Sequence, residues 1–270
     1  VPSMEEFLPG LVLLASVGEE GEGNLNGMRH FCSHSPYMRS LSTFLVLDGA
    51  ATAHITTRAI GSRRYEVSFT GPGGHSWSDY GVPNPVHALS RAIALFTETR
   101  LNASPRSSIN VGVIEGGASV NSIPPLARAK IDIRSECNQQ IEALSAALQS
   151  AVERSQEYES QRSTSGRLAA RIREIGSRPA GVLDERSGLP ATLKYVDAHL
   201  GIRSHFDCAS TDANIPLARG IPAVSIGAGG QGGGAHTAQE WFSPEGRDLG
   251  LKRILLVLCM RIREAAATGR

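Results

Sequence analysis

Leu11-Val12-Leu13-Leu14-Ala15-Ser16-Val17-Gly18-Glu19-Glu20-Gly21-Glu22-Gly23 decides how the rest of this 270-residue chain is read. Its first half is a continuous apolar run, the pattern of a strand buried on both faces of a parallel sheet, and it stops abruptly in acids and glycines. Ligands of open α/β sheets bind at the carboxyl ends of the strands, so the adjacent carboxylates of Glu19 and Glu20 mark a candidate site. A solvated acidic loop fits the same spacing, and this stretch alone does not separate the two readings.

A second stretch weighs on the choice. Ile221-Pro222-Ala223-Val224-Ser225-Ile226-Gly227 reads as another short strand, and a glycine-rich run follows it to Ala235-His236-Thr237-Ala238-Gln239-Glu240-Trp241. Carboxylates and an imidazole at neighbouring strand ends are ligand types that zinc, cobalt and manganese accept. The glycines lack a following Gly-Lys-Ser/Thr and an acid at dinucleotide-binding spacing, which argues against a nucleotide loop.

Working outward, Val1 to Pro9 reads as the tail of a helix and a loop, and Asn24 to Phe31 as a short helix. His30, Cys32 and His34 advance by about 200° per step on a helix, so the three do not converge on one ion. Thr43 to Leu47 is a third apolar strand, ending at Asp48-Gly49; a lone strand-end aspartate is also a common turn or cap residue. From about Ser62 the pattern changes to strict alternation, with Tyr65, Val67 and Phe69 on one side, as in an antiparallel sheet with one wet face. A helix capped by Asn84-Pro85 follows, with Val86, Leu89, Ile93 and Phe96 on one face. Strands at Ile109–Ile114 and Ala127–Arg134, a helix through Ile141, Leu144, Leu148 and Val152, and a strand at about Leu168–Ile175 complete a β-α-β-β-α-β order, the split ferredoxin-like arrangement. The α/β style then returns, with a helix at Leu193, Val196 and Leu200 closed by Gly201. After a strand at His205 and a helix near Ile215, a last helix packs Leu251, Ile254, Leu255, Leu258 and Ile262 on the sheet.

The fold expected is α/β. A doubly wound, mostly parallel catalytic domain over 1–61 and 176–270 is interrupted by an α+β ferredoxin-like insert over 62–175. A hydrophobic content of 41% with 20% charge is enough for one or two ordinary cores. The net charge of +1 and the absence of a Lys/Arg-rich stretch argue against an electrostatic nucleic-acid partner. No apolar run approaches the roughly 20 residues of a membrane span, so no membrane partner is expected. Cys32, Cys137, Cys208 and Cys259 are widely spaced, which suits a reduced, cytoplasmic compartment better than a disulfide framework or a thiolate zinc site. The chain starts at Val1 without Met, which leaves a lost signal peptide open.

Seven motifs in register resemble the M20 metallopeptidases, the group of aminoacylases, succinyl-diaminopimelate desuccinylase, carboxypeptidase G-type enzymes and tripeptidase T-like proteins. They are Gly18-Glu19-Glu20-Gly21, Leu47-Asp48-Gly49, Gly71-Pro72-Gly73-Gly74-His75-Ser76, Gly116 to Pro124, Ile133-Arg134, Ser210-Thr211-Asp212 and Ala235 to Trp241. The resemblance implies two zinc ions per full-length subunit, with cobalt or manganese as substitutes. Glu19 is then the general base, Glu20 and His236 bind the first metal, and Asp48 binds the second. The insert implies a homodimer, in which His75 reaches across the interface to stabilise an oxyanion, while Asn121 and Arg134 hold the substrate's carboxylate. Read without the resemblance, His75 is a turn histidine, Asn121 a loop cap and Arg134 an exposed strand residue. The family's His-x-Asp and bridging Asp are not found, so the chain reads as lacking the N-terminal part of its catalytic domain and as binding one metal or none by itself. The implied substrate is a small peptide or N-acyl amino acid, cleaved at an amide bond. From a different class stands a non-catalytic binding or assembly protein that keeps the fold and lacks half the ligands.

Overall fold

A computed structural model describes residues 10–268, so the reading of Val1 to Pro9 lies outside the described residues. The fold is mixed α/β and divides into two compact units. One is Gly61–Arg178; the other comprises the described residues up to Ile60 together with those from Pro179 onward.

The Gly61–Arg178 unit follows the alternation in its sequence. Strands β3 (Gly61–Thr70), β5 (Ser107–Gly116), β7 (Leu126–Ser135) and β8 (Ala169–Arg178) form one antiparallel sheet in the order β5-β7-β3-β8. Helices α2 (Pro85–Thr97) and α3 (Asn138–Arg162) fall between them, giving the succession β-α-β-β-α-β. Side chains on a strand alternate between faces, so Tyr65, Val67 and Phe69 turn inward together, opposite Ile131, Ala129 and Ala127. Phe96 and Leu148 close the core from the helices. Burying each large apolar side chain contributes about 1.5–3 kcal/mol. Helix α2 starts where Asn84 Oδ1 accepts the Val86 and His87 N–H groups, with Pro85 at the first helical position.

The other unit holds short strands: β1 (Phe44–Leu47), β2 (His54–Ala59), β9 (Gly181–Val182), β10 (His205–Ala209) and β11 (Ala223–Ile226). They run in the order β1-β11-β2-β10, with β9 on β2. The pairing is mixed rather than mostly parallel. β1 with β11 and β10 with β2 are parallel, whereas β2 runs antiparallel to β11 and β9. The reason is the turn after Asp48, which sends β2 back along the sheet as a near-hairpin, a connection only antiparallel strands allow. Helices α4 (Leu189–Leu200), α5 (Asn214–Ala218) and α6 (Arg247–Thr268) flank it, with Ile55, Leu193, Val224 and Val257 in the core.

Two further expectations change here. Leu11 to Val17 is not a strand: among the described residues it pairs with no other, and Leu13 and Val17 are 86% and 72% exposed. An apolar run reports what a segment can bury; becoming a two-faced strand also requires neighbours on both edges and cover on both faces. On α6, Leu251 and Leu255 face outward, while Arg253 and Val257 are buried and Ile254 and Met260 pack on the core. The helix is turned by the buried guanidinium of Arg253, whose Nε and Nη2 donate to the two oxygens of buried Asp197 at 2.7 and 2.6 Å. Arg253 Nη1 also donates to Thr52 O, and Ser204 Oγ to Asp197. An unpaired charge at this depth is far more costly than two exposed leucines.

Candidate active site

The acidic turn is shaped by glycines and closed against helix α1 (Asn26–His34). Gly27 N–H donates to Val17 O and Asn26 N–H to Gly18 O, and Gly18 takes the left-handed φ of 67° that the return requires. Gly23 N–H donates to Glu20 O. Glu19 and Glu20 therefore sit in a folded-back loop rather than at a strand end, Glu19 half-buried and Glu20 exposed. On α1, His30 and His34 stack with centroids 4.3 Å apart and Cys32 is buried. Four residues of separation returns a helix to nearly the same face, while two sends it to the opposite one.

Asp48 is positioned by the end of β1. Its N–H donates to Ile226 O, and Ala228 and Gly229 N–H groups donate to Gly49 and Ala50 O, which draws the turn after β1 along the glycine run after β11. Gly227 has to be glycine here: a Cβ would lie 2.1 Å from Ala51 O. Downstream, Thr237 N–H closes on Gly234 O and His236 N–H on Glu240 Oε2, and His236 holds a left-handed φ of 64°. For a residue with a Cβ this conformation costs about 1–2 kcal/mol, which the surrounding turn must offset.

Asp48 meets solvent, yet its carboxyl is raised above the usual aspartate range. Burial by the crowding chain is the largest cause, the Glu20 and Asp212 charges push the same way, and His236 pulls it back. Glu20, Asp48, Asp212 and His236 are thus within electrostatic reach of one point. Asp212 is 5% exposed and its Oδ1 is buried without a hydrogen-bond partner. Three carboxylates against one imidazole, with an orphaned buried oxygen among them, have the charge and donor types that suit a divalent cation. The four do not close to mutual ligating distance. Among the described residues, His54, His205 and Asp207 are the group whose donor atoms lie within 4.8 Å of one another.

The remaining candidates lie in the Gly61–Arg178 unit. His75 is on β4 (Gly74–His75), paired with β6 (Ser122–Ile123), and Ser76 N–H donates to Asn121 O. The Trp77 and Ser78 N–H groups donate to His75 Nδ1, which leaves Nε2 as the protonated nitrogen. Asn121 Oδ1 accepts from Ser119 Oγ. Arg134 Nε donates to Asp132 Oδ2 at 2.6 Å. His75 and Asn121 share one corner, and Arg134 stands further along β7. Asp212 was legible only as part of a motif, without a role, and His54, His205 and Asp207 gave no sequence signal because β2 was not foreseen.

A mixed α/β protein with a β-α-β-β-α-β insert and a glycine-framed cluster of acids and histidine is the class defined so far. The family model of the M20 peptidase dimerisation domain matches residues 49–159. The fold is shared with aminopeptidase PepT from Bacillus cereus at 18% identity and a TM-score of 0.71, over 87% of this chain and 61% of that one. A tripeptidase from Staphylococcus aureus aligns at 16% identity and a TM-score of 0.71, over 89% and 62%. An amidase of the hydantoinase/carbamoylase family from Burkholderia vietnamiensis aligns at 19% and 0.61, over 82% and 55%. No curated protein sequence matches. Residues 49–159 thus match the dimerisation domain of the M20 peptidases, and the chain shares its fold with these peptidase and amidase structures. It spans about three fifths of the length of the aminopeptidase and tripeptidase structures. No helix among the described residues is long and apolar enough to cross a membrane.

Proposed function

We propose that the protein carrying this chain is a metal-dependent hydrolase that cleaves the amide bond of a small peptide or N-acyl amino acid next to a free carboxylate. In this reading residues 1–61 and 176–270 belong to the catalytic domain and 62–175 to a dimerisation and lid domain. Zinc is the metal, with cobalt or manganese as substitutes, and the compartment is the cytoplasm, which the four free cysteines suit. The observation that carries the proposal is the electrostatic convergence of Glu20, Asp212 and His236 on Asp48, together with the unpartnered Asp212 oxygen.

Glu20 and His236 would hold the first of two metals and Asp48 the second. When bound, they polarise the scissile carbonyl and stabilise the charge that develops there. Glu19 takes the proton of the attacking water and passes it to the departing amine, a task that calls for a carboxylate beside the site but outside the ligand set. His75 has Nδ1 committed to backbone donors, so its Nε2–H is free to donate to an oxyanion, in this reading in the site of a second subunit. Arg134 and Asn121 hold the substrate's carboxylate, the guanidinium through a paired N–H fork.

The test uses the full natural protein with added Zn²⁺, Co²⁺ or Mn²⁺ and a panel of dipeptides, tripeptides and N-acyl amino acids. Metal-dependent turnover is expected. Glu19→Gln should lower kcat by about 10²–10⁴-fold with metal content unchanged, and His75→Ala by about 10²-fold. Turnover unaffected by metal removal, or a Glu19→Gln enzyme with full kcat, overturns the proposal.

A further inference from the structure

Strands β2 and β10 run side by side in parallel, with His205 opposite His54, Phe206 opposite Ile55 and Asp207 opposite Thr56. Alternation along a strand then places His54, Thr56, His205 and Asp207 on one face as a polar square, while Ile55 turns into the core at 0% exposure. Within the square, His54 Nδ1 lies 2.8 Å from Asp207 Oδ2, and Thr56 Oγ1 donates to Asp207 Oδ1 at 2.8 Å. The two imidazoles meet edge to face, with centroids 4.5 Å apart. One donor atom from each of His54, His205 and Asp207 falls within 4.8 Å of the other two.

We propose that His54, His205 and Asp207 form a second metal site, one that takes a first-row divalent transition metal such as Zn²⁺ or Co²⁺ and leaves a coordination position to water. It is separate from the cluster around Asp48. The row Leu47, Ile226, Ile55 runs across three strands, so Asp48 and His54 stand at the same rim of the sheet but two strands apart, about 10 Å.

Three features carry the proposal beyond a surface ion pair. A His–Asp pair needs one imidazole, yet here a second is brought by register onto the same carboxylate. The donor set of two nitrogens and one oxygen is that of many open zinc sites, whose bond lengths of 2.0–2.2 Å put ligand atoms about 3.4 Å apart in a tetrahedron. Donors already within 4.8 Å stand close to that spacing, and the His54 side chain is 55% exposed. Thr56 fixes the orientation of the carboxylate from behind, as ligand-supporting hydrogen bonds do in metal sites.

The backbone under the site is also fixed in advance. His205 N–H donates to Ala53 O, and the buried Arg253–Asp197 pair holds Thr52 O and Ser204 Oγ, the residues two before His54 and one before His205. Ligand-bearing strand ends that do not have to be ordered on binding lose less entropy when the metal arrives.

The experiment is a Co²⁺ titration of chelator-dialysed protein, followed by the visible absorption of the bound ion, with Zn²⁺ as competitor. It is run on the parent, on His236→Ala and on His205→Gln, with metal-free thermal melts to establish that each is folded. The Co²⁺ signal should persist in His236→Ala and weaken by about tenfold or more in affinity in His205→Gln. If His205→Gln fails to fold, His54→Gln at the exposed corner takes its place with the same expected loss. Loss of the signal in His236→Ala with no change in the His205 or His54 variant, or no Co²⁺ bound by the parent, overturns the site. Failure of the hydrolase reading leaves the titration outcome untouched, since no turnover enters it.

Discussion

The two sheets of this protein are held in opposite ways. In the Gly61–Arg178 unit the four main strands are ten residues each, and β3 is in register with β7 along its whole length. In β3 and β7 nearly all of that length serves to alternate an apolar face into one core. The main strands of the other sheet are four to six residues long, and its chemistry gathers beyond their ends: Asp48 after β1, His54 and His205 at the first positions of β2 and β10, the glycine run after β11. A long strand supports itself by its own ladder and face. A short strand leaves its termini to be positioned from outside, here by the buried Arg253–Asp197 pair and by glycines such as Gly227 that let turns pack against backbone.

That contrast can be broken most severely at Arg253. Arg253→Met removes the guanidinium and leaves Asp197 buried without its partner, in a network that also ties Thr52 and Ser204. Breaking a buried pair in this way costs about 3–5 kcal/mol. Hydrogen exchange should show faster opening of β2, β10 and β11, while the β3–β7 ladder keeps its protection. Equal loss of protection in both sheets would mean that the pair does not act locally.

The complementary change is Leu148→Ala, which empties a fully buried position under the long sheet. The expected loss is about 3 kcal/mol, within the 2–5 kcal/mol usual for such truncations. Here the ladder β3–β7–β8 should exchange faster while β1 and β11 are unchanged. A double variant with Arg253→Met should show additive losses, because the two sites share no partner.

The same contrast explains what could be read from the residues alone. Tyr65, Val67 and Phe69 on one side, then Leu89 and Phe96, then Ile131 and Ile133, carry a period that fixes element type and inward face, and all of them are buried. Short strands carry too few residues for a period: His-Ile-Thr-Thr-Arg-Ala at 54–59 has no signature, and with it went the cluster of His54, His205 and Asp207. Leu11 to Val17 shows the converse error. Its composition was that of a buried strand, but pairing and cover are properties of neighbours, which a local pattern cannot report. At α6, Leu251 and Leu255 looked like the inward face on spacing, and a single buried arginine turned the helix. Asp48 and His236 were legible as site candidates because a strand end and a glycine run are local features, whereas the pressure of Asp212 on Asp48 is not.

The smallest expected effect lies where α1 meets α5. Cys32 is 3% exposed, its carbonyl accepts from the Arg219 guanidinium, and its thiol is raised above the ordinary value of 9.0. Burial is the main cause; Arg219 pulls the value down in part and Asp212 adds to the rise. Because the folded value is the higher one, the native state keeps its proton when the unfolded chain has begun to lose it. The contribution to stability is therefore fully present below about pH 9 and declines as pH rises through the unfolded value toward the folded one. Urea midpoints measured from pH 8 to pH 10.5 should fall more steeply for the parent than for Cys32→Ala, whose lost side chain lowers the midpoint equally at every pH. The thiolate is the reactive form, so iodoacetamide at pH 8 should label half-buried Cys137 and Cys259 well before Cys32. Parallel pH slopes in the two proteins, or labelling of Cys32 at the rate of Cys137, would show that α1 does not seal this thiol from water.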